Sequence, residues 1–96
     1  MKAYLVFDIS VHDEARYKKD YVGQAPGFVE KHQGKYLVRG GAMDVIEGDW
    51  APERFVVIEF PSREHANAFL QDPEYQTVAK VRHTTTTSKM VMVDGT

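Results

Sequence analysis

The stretch KYLVRGGAMDVIEGDWAPERFVVIEF, residues 35–60, decides the fold. It opens with residues 36–38 (YLV), which are typical of a strand, and the glycine pair at 40 and 41 ends that strand. Residues 55–58 (FVVI) are aromatic and β-branched and carry the strongest strand signal in the chain. Between the strands, residues 47–52 (EGDWAP) supply turn-forming residues and the only tryptophan. The stretch therefore predicts two strands joined by a long loop.

Composition restricts the class of protein. With 96 residues the chain is expected to form one domain, residues 1–96, and its hydrophobic fraction of 43 % predicts a packed globule. The net charge is −2 with both signs interspersed, which argues against nucleic acid as a partner. The absence of cysteine excludes disulfides and is compatible with a cytoplasmic protein. No segment approaches the roughly 18–20 apolar residues of a membrane span, and residues 1–10 predict a strand rather than a signal peptide.

The remaining segments complete a βαββαβ order. Residues 2–9 predict the first strand and residues 89–93 the last. Helix-capping residues precede each helical pattern: Asp13, Ser62 and Asp72. Gly34 is expected to end the first helical region, and His83 with the threonine run 84–87 is expected to end the last. This order predicts a ferredoxin-like α+β fold, an antiparallel four-stranded sheet with its helices on one face and the first and third strands in the centre.

The two central strands also predict a homodimer. An antiparallel sheet covered by helices on one face should alternate apolar and polar residues. The first and third predicted strands are instead largely apolar on both faces. A chain of this length has no further segment to cover the second face and gains stability from a partner. We therefore expect a second copy of the chain to pack against that sheet face.

Three charged residues interrupt the strands. Successive side chains of a strand point to opposite faces of the sheet. The side chains expected to face the helices are those of Leu5, Phe7, Ile9, Val56, Ile58 and Phe60. The side chains of Asp8, Arg39 and Glu59 are expected on the opposite face, together with Met90 and Met92 from the last strand. A β-bulge would move any one of them to the other face.

This charged group has two interpretations. In the first, Arg39 binds an anionic or carbonyl-bearing ligand, and Glu59 or Asp8 acts as a general base; these two are the candidate catalytic residues. In the second, Arg39 neutralises the carboxylates in a buried structural network that performs no chemistry.

Two further pairs join Arg39 as candidate ligand-binding residues. Trp50 and Arg54 would form a lid through a cation–π contact, or Trp50 would simply pack at a sheet edge or dimer interface. Tyr75 and Arg82, two turns apart on one helix face, would direct polar groups into a cleft, or would pack with the arginine extending to solvent.

No metal or cofactor site is predicted. The four histidines lack the spacing of a zinc site: His12, His32, His65 and His83. The chain also lacks a P-loop, a dinucleotide fingerprint and a spacing that supports a Ser/His/acid triad. The expected partner, besides the second copy, is a small molecule handled without a cofactor.

A set of motifs resembles one known family. The motifs are RGG at 39–41, EGDWAPER at 47–54, VIEFPS at 57–62, PEY at 73–75, Arg82, and VDG at 93–95. Together they cover nearly the whole chain and resemble the family catalogued as domain of unknown function 1330. The resemblance implies a ferredoxin-like fold of the dimeric α+β barrel superfamily, in which two sheets close a barrel between subunits. That superfamily holds cofactor-free monooxygenases, lactone isomerases, haem enzymes and non-catalytic members, so the resemblance implies no particular reaction.

Two function classes are left open. One is a small cofactor-free enzyme that performs proton transfer, isomerisation or oxygenation on a polar organic molecule in a cleft on the sheet face. The other is a non-catalytic ligand-binding or accessory dimer with a structural charge network. The residues favour ligand binding slightly and do not identify the ligand.

Overall fold

The strands of the chain, described for residues 1–96 in a computed structural model, form one antiparallel sheet in the order β2-β3-β1-β4. The strands are β1 (Ala3–Val11), β2 (Lys35–Arg39), β3 (Arg54–Phe60) and β4 (Thr86–Asp94). The helices are α1 (Glu14–Arg16), which continues as a π-helix (Tyr17–Val22), α2 (Ala25–Lys31), α3 (Arg63–Gln71) and α4 (Pro73–Thr85). The predicted ferredoxin-like fold, with the first and third strands in the centre, is confirmed.

The helices begin where the capping residues predict. Ser62 Oγ accepts a hydrogen bond from the His65 backbone N–H at 3.2 Å. The Asp72 carboxylate accepts from the backbone N–H of Glu74 at 2.9 Å. These bonds satisfy amide donors that a helix leaves free in its first turn. Asp13 caps α1 in the same way through the Arg16 N–H.

The predicted end of the last helix was wrong. α4 continues through His83 to Thr85, and β4 begins at Thr86 rather than Lys89. The Thr85 hydroxyl donates to the Val81 carbonyl oxygen at 2.6 Å, so this threonine keeps its polar group satisfied inside the helix. Bonds of this kind let the threonine run form the last turn of α4 instead of a loop.

The turn from α2 to β2 uses two residues in different ways. Gln33, not Gly34, takes the left-handed conformation, with φ 63°. Gly34 is required for a different reason, since a Cβ there would lie 2.7 Å from Phe60 Cε1. The expectation that Gly34 itself ends the helix is corrected: it lets the backbone pass close to the core.

The hydrophobic core lies between the sheet and the helices. The helix-facing side chains of the central strands are buried as predicted: Leu5, Phe7, Ile9, Val56, Ile58 and Phe60. They pack against buried residues of the helices, among them Tyr21, Val29, Ala66, Phe69 and Tyr75. Burial of this apolar surface is the main source of stability for the fold.

A β-bulge in β2 changes the position of Arg39. Tyr36 pairs with Ile58, but Val38 pairs with Val57, so Leu37 is the extra residue. After the bulge, Arg39 lies opposite Val56, whose side chain is in the core. The prediction that Arg39 shares a sheet face with Asp8 and Glu59 was therefore wrong, because one extra residue reverses the alternation of the strand.

The side chains of β4 face the opposite sides of the sheet from those predicted. Met90 pairs with Phe7 and Met92 with Leu5, and both methionines pack against the core from the helix side. The placement of the methionines on the other face was wrong. The alternating residues Val91 and Val93 lie there instead and are 60 % and 49 % exposed.

The face of the sheet away from the helices is called the open face here. It carries the side chains of Tyr4, Val6, Asp8, Phe55, Val57, Glu59, Lys89, Val91 and Val93. The loop of residues 40–53 adds exposed apolar side chains, including Met43, Val45 and Ile46. Contiguous apolar surface of this kind is typical of an interaction site. None of the helices has both the length and the apolar character to cross a membrane.

Candidate functional site

The predicted group of Asp8, Arg39 and Glu59 is not assembled. On the open face, the Trp50 Nε1–H donates to Asp8 Oδ2 at 2.7 Å. Glu59 forms an ion pair with Lys2 at 2.7 Å. Each carboxylate thus has its own partner, and Arg39 lies on the helix side of the sheet. The structure contains neither a ligand-binding triad nor a buried network of these three residues.

The predicted lid pair of Trp50 and Arg54 is also separated by the sheet. Trp50 contacts Phe55 on the open face, with ring centroids 5.8 Å apart. Arg54 pairs with Ile9 in the sheet register, so its side chain belongs to the helix side. No cation–π contact joins the two residues. Packing against the sheet, the alternative stated for Trp50, is the arrangement observed.

A pocket lies on the helix side of the sheet, between the sheet and the segment that contains the π-helix and the start of α2. Its apolar lining is formed by Phe7, Ile9, Val22, Ala25, Val56 and Ile58. Its polar lining consists of Tyr17, Tyr21, Tyr36, Arg39 and Arg54. The free space inside is about 20 Å³, room for a group the size of one water molecule. This pocket is called the tyrosine–arginine cleft.

The π-helix forms one wall of the cleft. Tyr17 and Tyr21 stack with ring centroids 5.5 Å apart, and Val22 completes the wall. Gly23 caps the C-terminal end of the π-helix, and a Cβ there would lie 2.8 Å from the Lys19 carbonyl oxygen, so the position favours glycine. Wide helical turns of this type occur frequently at functional sites.

Arg39 lies at the mouth of the cleft. Its guanidinium is 4.7 Å from the centre of the Tyr36 ring. Its Nη2 donates to the Val22 carbonyl oxygen at 3.4 Å, a long and weak hydrogen bond. The side chain therefore links β2 to the π-helix across the entrance and keeps free donors there.

Arg54 lies deeper and has an unsatisfied donor. Its guanidinium is 5.7 Å from the centre of the Tyr17 ring, and its Nε is buried without a hydrogen-bond partner. Gly40 makes room for it, since a Cβ on Gly40 would lie 3.0 Å from Arg54 Nη1. Gly40 also has φ 67°, a conformation that glycine adopts without strain.

Arg82 lies behind the cleft and is almost completely buried, at 3 % exposure. Its guanidinium packs between the rings of Phe7 and Tyr21, at 5.5 and 5.7 Å from their centres. Nη1 donates to Ser88 Oγ at 2.7 Å, while Nε has no partner. The proposed extension of Arg82 to solvent is corrected: this charge is held inside the protein.

Tyr75, the helix partner of Arg82, belongs to the same buried region. Its hydroxyl forms a 2.7 Å hydrogen bond with the Tyr21 hydroxyl, and Tyr21 lines the cleft. Burial raises the pKa of Tyr21 well above its ordinary value, and the neighbouring Tyr75 raises it further. The Tyr21 phenol is therefore neutral at pH 7, and the two hydroxyls satisfy each other as hydrogen-bond partners.

The charge distribution around the cleft is one-sided. The ion pairs of the structure are Lys2–Glu59, Arg16–Asp20, Lys31–Asp72, His32–Asp72 and Arg63–Asp94. None of them involves the three arginines of the cleft region. Burial raises the pKa of the Tyr17 hydroxyl, and the positive charges of Arg54, Arg82 and Arg39 oppose that rise. Positive charge and hydroxyl donors thus converge without a carboxylate to neutralise them.

A second, outer cavity of about 120 Å³ adjoins the cleft. Tyr17 and Arg54 line both, so the two spaces adjoin at these side chains. The remaining lining of the outer cavity is Val11, Glu14, Lys18, Gly40 and Glu53. Carboxylates are therefore present only in the outer cavity.

Three tyrosines of the cleft were not predicted as site residues: Tyr17, Tyr21 and Tyr36. Their hydroxyls were the available signal, because an inward aromatic with a polar end needs a partner. As for metal sites, no group of three or more His, Asp or Glu side chains is close enough together to hold an ion.

Solved structures resemble this fold over almost its whole length. A protein of unknown function from Rhodopseudomonas palustris aligns with a TM-score of 0.82 and 16 % identity, covering 99 % of this chain and 82 % of that one. SnoaB, a cofactor-independent oxygenase from Streptomyces nogalater, aligns with a TM-score of 0.70 and 13 % identity, covering 99 % and 93 %. A Nitrosomonas europaea protein assigned as an antibiotic biosynthesis monooxygenase aligns with a TM-score of 0.58 and 19 % identity, covering 99 % and 98 %. The likeness shows that these proteins share the ferredoxin-like α+β fold.

A search of curated proteins gave no match. The model of one family, Domain of unknown function (DUF1330), matches residues 2–96. This is the family that the sequence motifs resemble, and the match extends over all four strands and all the helices. The chain belongs to the DUF1330 family.

Proposed function

We propose that the protein binds a small polar organic molecule in the tyrosine–arginine cleft and acts on it without a bound cofactor. The observation that carries this proposal is that Arg39 and Arg54 line one cleft, with Arg82 packed behind its Tyr21 wall, and that none of the three has an acidic partner. Of the three, Arg82 is buried, and buried charges in proteins are normally paired. Unpaired donors beside a cavity are a recognised feature of binding sites.

The cleft, rather than the open face, is the better candidate for chemistry. Asp8 and Glu59 are engaged by Trp50 and Lys2, which leaves them poorly placed to act as bases. The donors of the cleft are guanidinium and phenol groups, which stabilise negative charge on an oxygen atom. Proton transfer, isomerisation and oxygenation next to a carbonyl group all pass through such an oxyanion. The class of substrate that fits is one whose own acidity makes the oxyanion accessible.

The fold comparison supports the same class of reaction. SnoaB is a cofactor-independent oxygenase, and its structure aligns with nearly all of this chain. At 13 % identity the likeness concerns the fold, so the reaction is carried over here as part of the proposal.

We also propose that the protein is a homodimer joined through the open face. The support is the apolar character of that face and of the adjoining loop 40–53. Light scattering at micromolar concentration should give about twice the chain mass of 10.9 kDa. Val91→Lys should shift the mass toward one chain, because it places a charge on the open face. Ala68→Lys, on the exposed side of α3, is the matched control and should leave the mass unchanged. A single-chain mass for the wild type would exclude the dimer.

The ligand-binding proposal is tested by thermal melts with a panel of small organic molecules. A ligand that binds only the folded state raises the melting temperature by mass action. Val22→Phe should abolish the rise because it fills the cleft, whereas Ala68→Phe on the exposed side of α3 should preserve it. A rise that is equal in both variants would place binding outside the cleft.

A non-catalytic binding protein is the second candidate function. The small free volume of the cleft, about 20 Å³, favours it because the site is nearly closed. The two candidates are separated by incubating the protein with a stabilising compound in air. Oxygen uptake or solvent deuterium incorporation above the rate of the Val22→Phe variant supports the enzyme. Saturable binding without either supports the non-catalytic protein.

A further inference from the structure

We propose that the ligand of the tyrosine–arginine cleft is a small organic monocarboxylate. Its carboxylate would lie between Arg39 and Arg54 beside the Tyr17 hydroxyl, and its body would extend into the outer cavity. This inference rests on the proposed function, since it names the substrate class for the same cleft.

The first argument is charge. The Arg54 guanidinium lies 5.7 Å from the centre of the Tyr17 ring, Arg39 lines the same cleft, and Arg82 packs on the Tyr21 ring behind it. None of the three forms an ion pair. Arg82 cannot be reached from solvent, so its charge acts as a fixed positive field behind the cleft. A cationic ligand would be repelled, and a neutral ligand would leave this field without compensation. An anion is the ligand that completes the site.

The second argument is the orphan donor on Arg54. Its Nε is buried and has no partner, which costs free energy in the ligand-free protein. A carboxylate that approaches the edge of this guanidinium would accept from Nε and from one terminal nitrogen at once. Arg39, held only by a long hydrogen bond to Val22, is free to turn toward the same group.

The third argument concerns size and the number of charges. The inner space of about 20 Å³ has room for one oxygen atom of the anion, so the anion itself must be compact. The outer cavity of about 120 Å³ has room for the body of a small acid. Glu14 and Glu53 line that cavity and disfavour a second negative charge. A planar, singly charged carboxylate meets these conditions better than a tetrahedral, doubly charged phosphate.

The test uses pairs of molecules that differ only in charge. Propionate is compared with propionamide, and benzoate with benzamide, by isothermal titration of the full chain at constant ionic strength. Inorganic phosphate serves as the competing anion. We expect each carboxylate to bind at least about tenfold more tightly than its amide, because charge-assisted bonds are roughly twice as strong as neutral ones.

Two variants locate the charge preference. Arg54→Met should reduce the preference for carboxylate over amide to less than about threefold. Arg54→Lys, which keeps the charge and loses the planar fork, should retain part of it and guards against misfolding of the first variant. Arg63→Met is the matched control, since Arg63 forms its ion pair with Asp94 outside the cleft, and it should bind like the wild type.

Three results would overturn the inference. Equal binding of acid and amide, lost in Val22→Phe, would leave the cleft as a binding site and reject the anion. Tighter binding of inorganic phosphate would reject the carboxylate. Absence of binding by every probe would reject the monocarboxylate, and the melts with the wider panel would then show whether the proposed function fails as well.

Discussion

Replacing Tyr75 by phenylalanine tests the buried polar layer behind the cleft. The Tyr75 and Tyr21 hydroxyls are 2.7 Å apart, and each side chain is shielded from solvent. Tyr75→Phe removes one hydroxyl and leaves the other without its partner in a buried site. Tyr21→Phe does the same from the other side. The double variant removes both polar groups and keeps both rings.

The magnitude follows from the difference between leaving one hydroxyl without its partner and removing both hydroxyls. Leaving a buried hydroxyl unsatisfied costs about 1–3 kcal/mol, whereas removing both partners is close to neutral. For a domain of this size, 1 kcal/mol corresponds to about 4–8 °C in melting temperature. We therefore expect a fall of about 4 °C or more in each single variant. The double variant should be less destabilised than the sum of the two.

The assay is a double-mutant cycle measured by urea unfolding at fixed protein concentration, since unfolding of an oligomer depends on concentration. Tyr4→Phe, on the open face, is the control and should change stability by no more than about 0.5 kcal/mol. Losses that add without coupling in the double variant would refute the hydroxyl pairing. Single variants as stable as the wild type would show that the hydrogen bond between the hydroxyls does not stabilise the fold.

Three further predictions concern the strands, the caps and the cleft entrance. Arg39→Met and Glu59→Gln should destabilise independently in urea melts, within about 0.5 kcal/mol of additivity, because the two residues lie on opposite faces of the sheet; strong coupling would contradict the observed bulge. The hydrogen bond from His32 and, to a smaller extent, that from Lys31 lower the pKa of Asp72 below its ordinary value of 3.8. The stability that this carboxylate contributes is therefore complete above that pH and is lost as the pH falls below it. Asp72→Asn should flatten the acid-unfolding profile in this range, and an unchanged profile would show that the interaction is not stabilising. Gly40→Ala should cost about 1–2 kcal/mol because of its positive φ and should weaken ligand binding by crowding the neighbouring arginine; a fully stable variant with normal binding would refute this role for glycine.

The fold was accessible from the sequence because its signals are local. The apolar alternation of β1 and β3 and the capping residues before each long helix are read within a few positions of the chain. Ser62 and Asp72 make the predicted bonds for this reason. The threonines after His83 misled the prediction, since their hydroxyls return to helix carbonyl oxygens, which is visible only in three dimensions.

The site was less accessible because it depends on register. Nothing in the amino-acid sequence around Leu37 indicates a bulge, yet this one extra residue moves Arg39 from the open face to the cleft. Arg82 and Tyr75 were identified as candidates, but their position behind the cleft follows from how α4 packs on the sheet. Tyr36 comes to the same cleft from β2, a contact between segments that no sequence spacing encodes.

The direct test of the site is to find which side of the sheet a bound ligand contacts. Isotope-labelled protein is titrated with benzoate, and NMR follows the side-chain Nε–H signals of Arg39 and Arg54 together with the methyl signals of Val22, Val91 and Val93. A ligand in the tyrosine–arginine cleft should shift the signals of Arg54 and Val22 and leave those of Val91 and Val93 on the open face unchanged. Saturable shifts confined to Val91 and Val93, with Arg54 and Val22 unaffected, would contradict binding in the tyrosine–arginine cleft and would place the ligand on the open face.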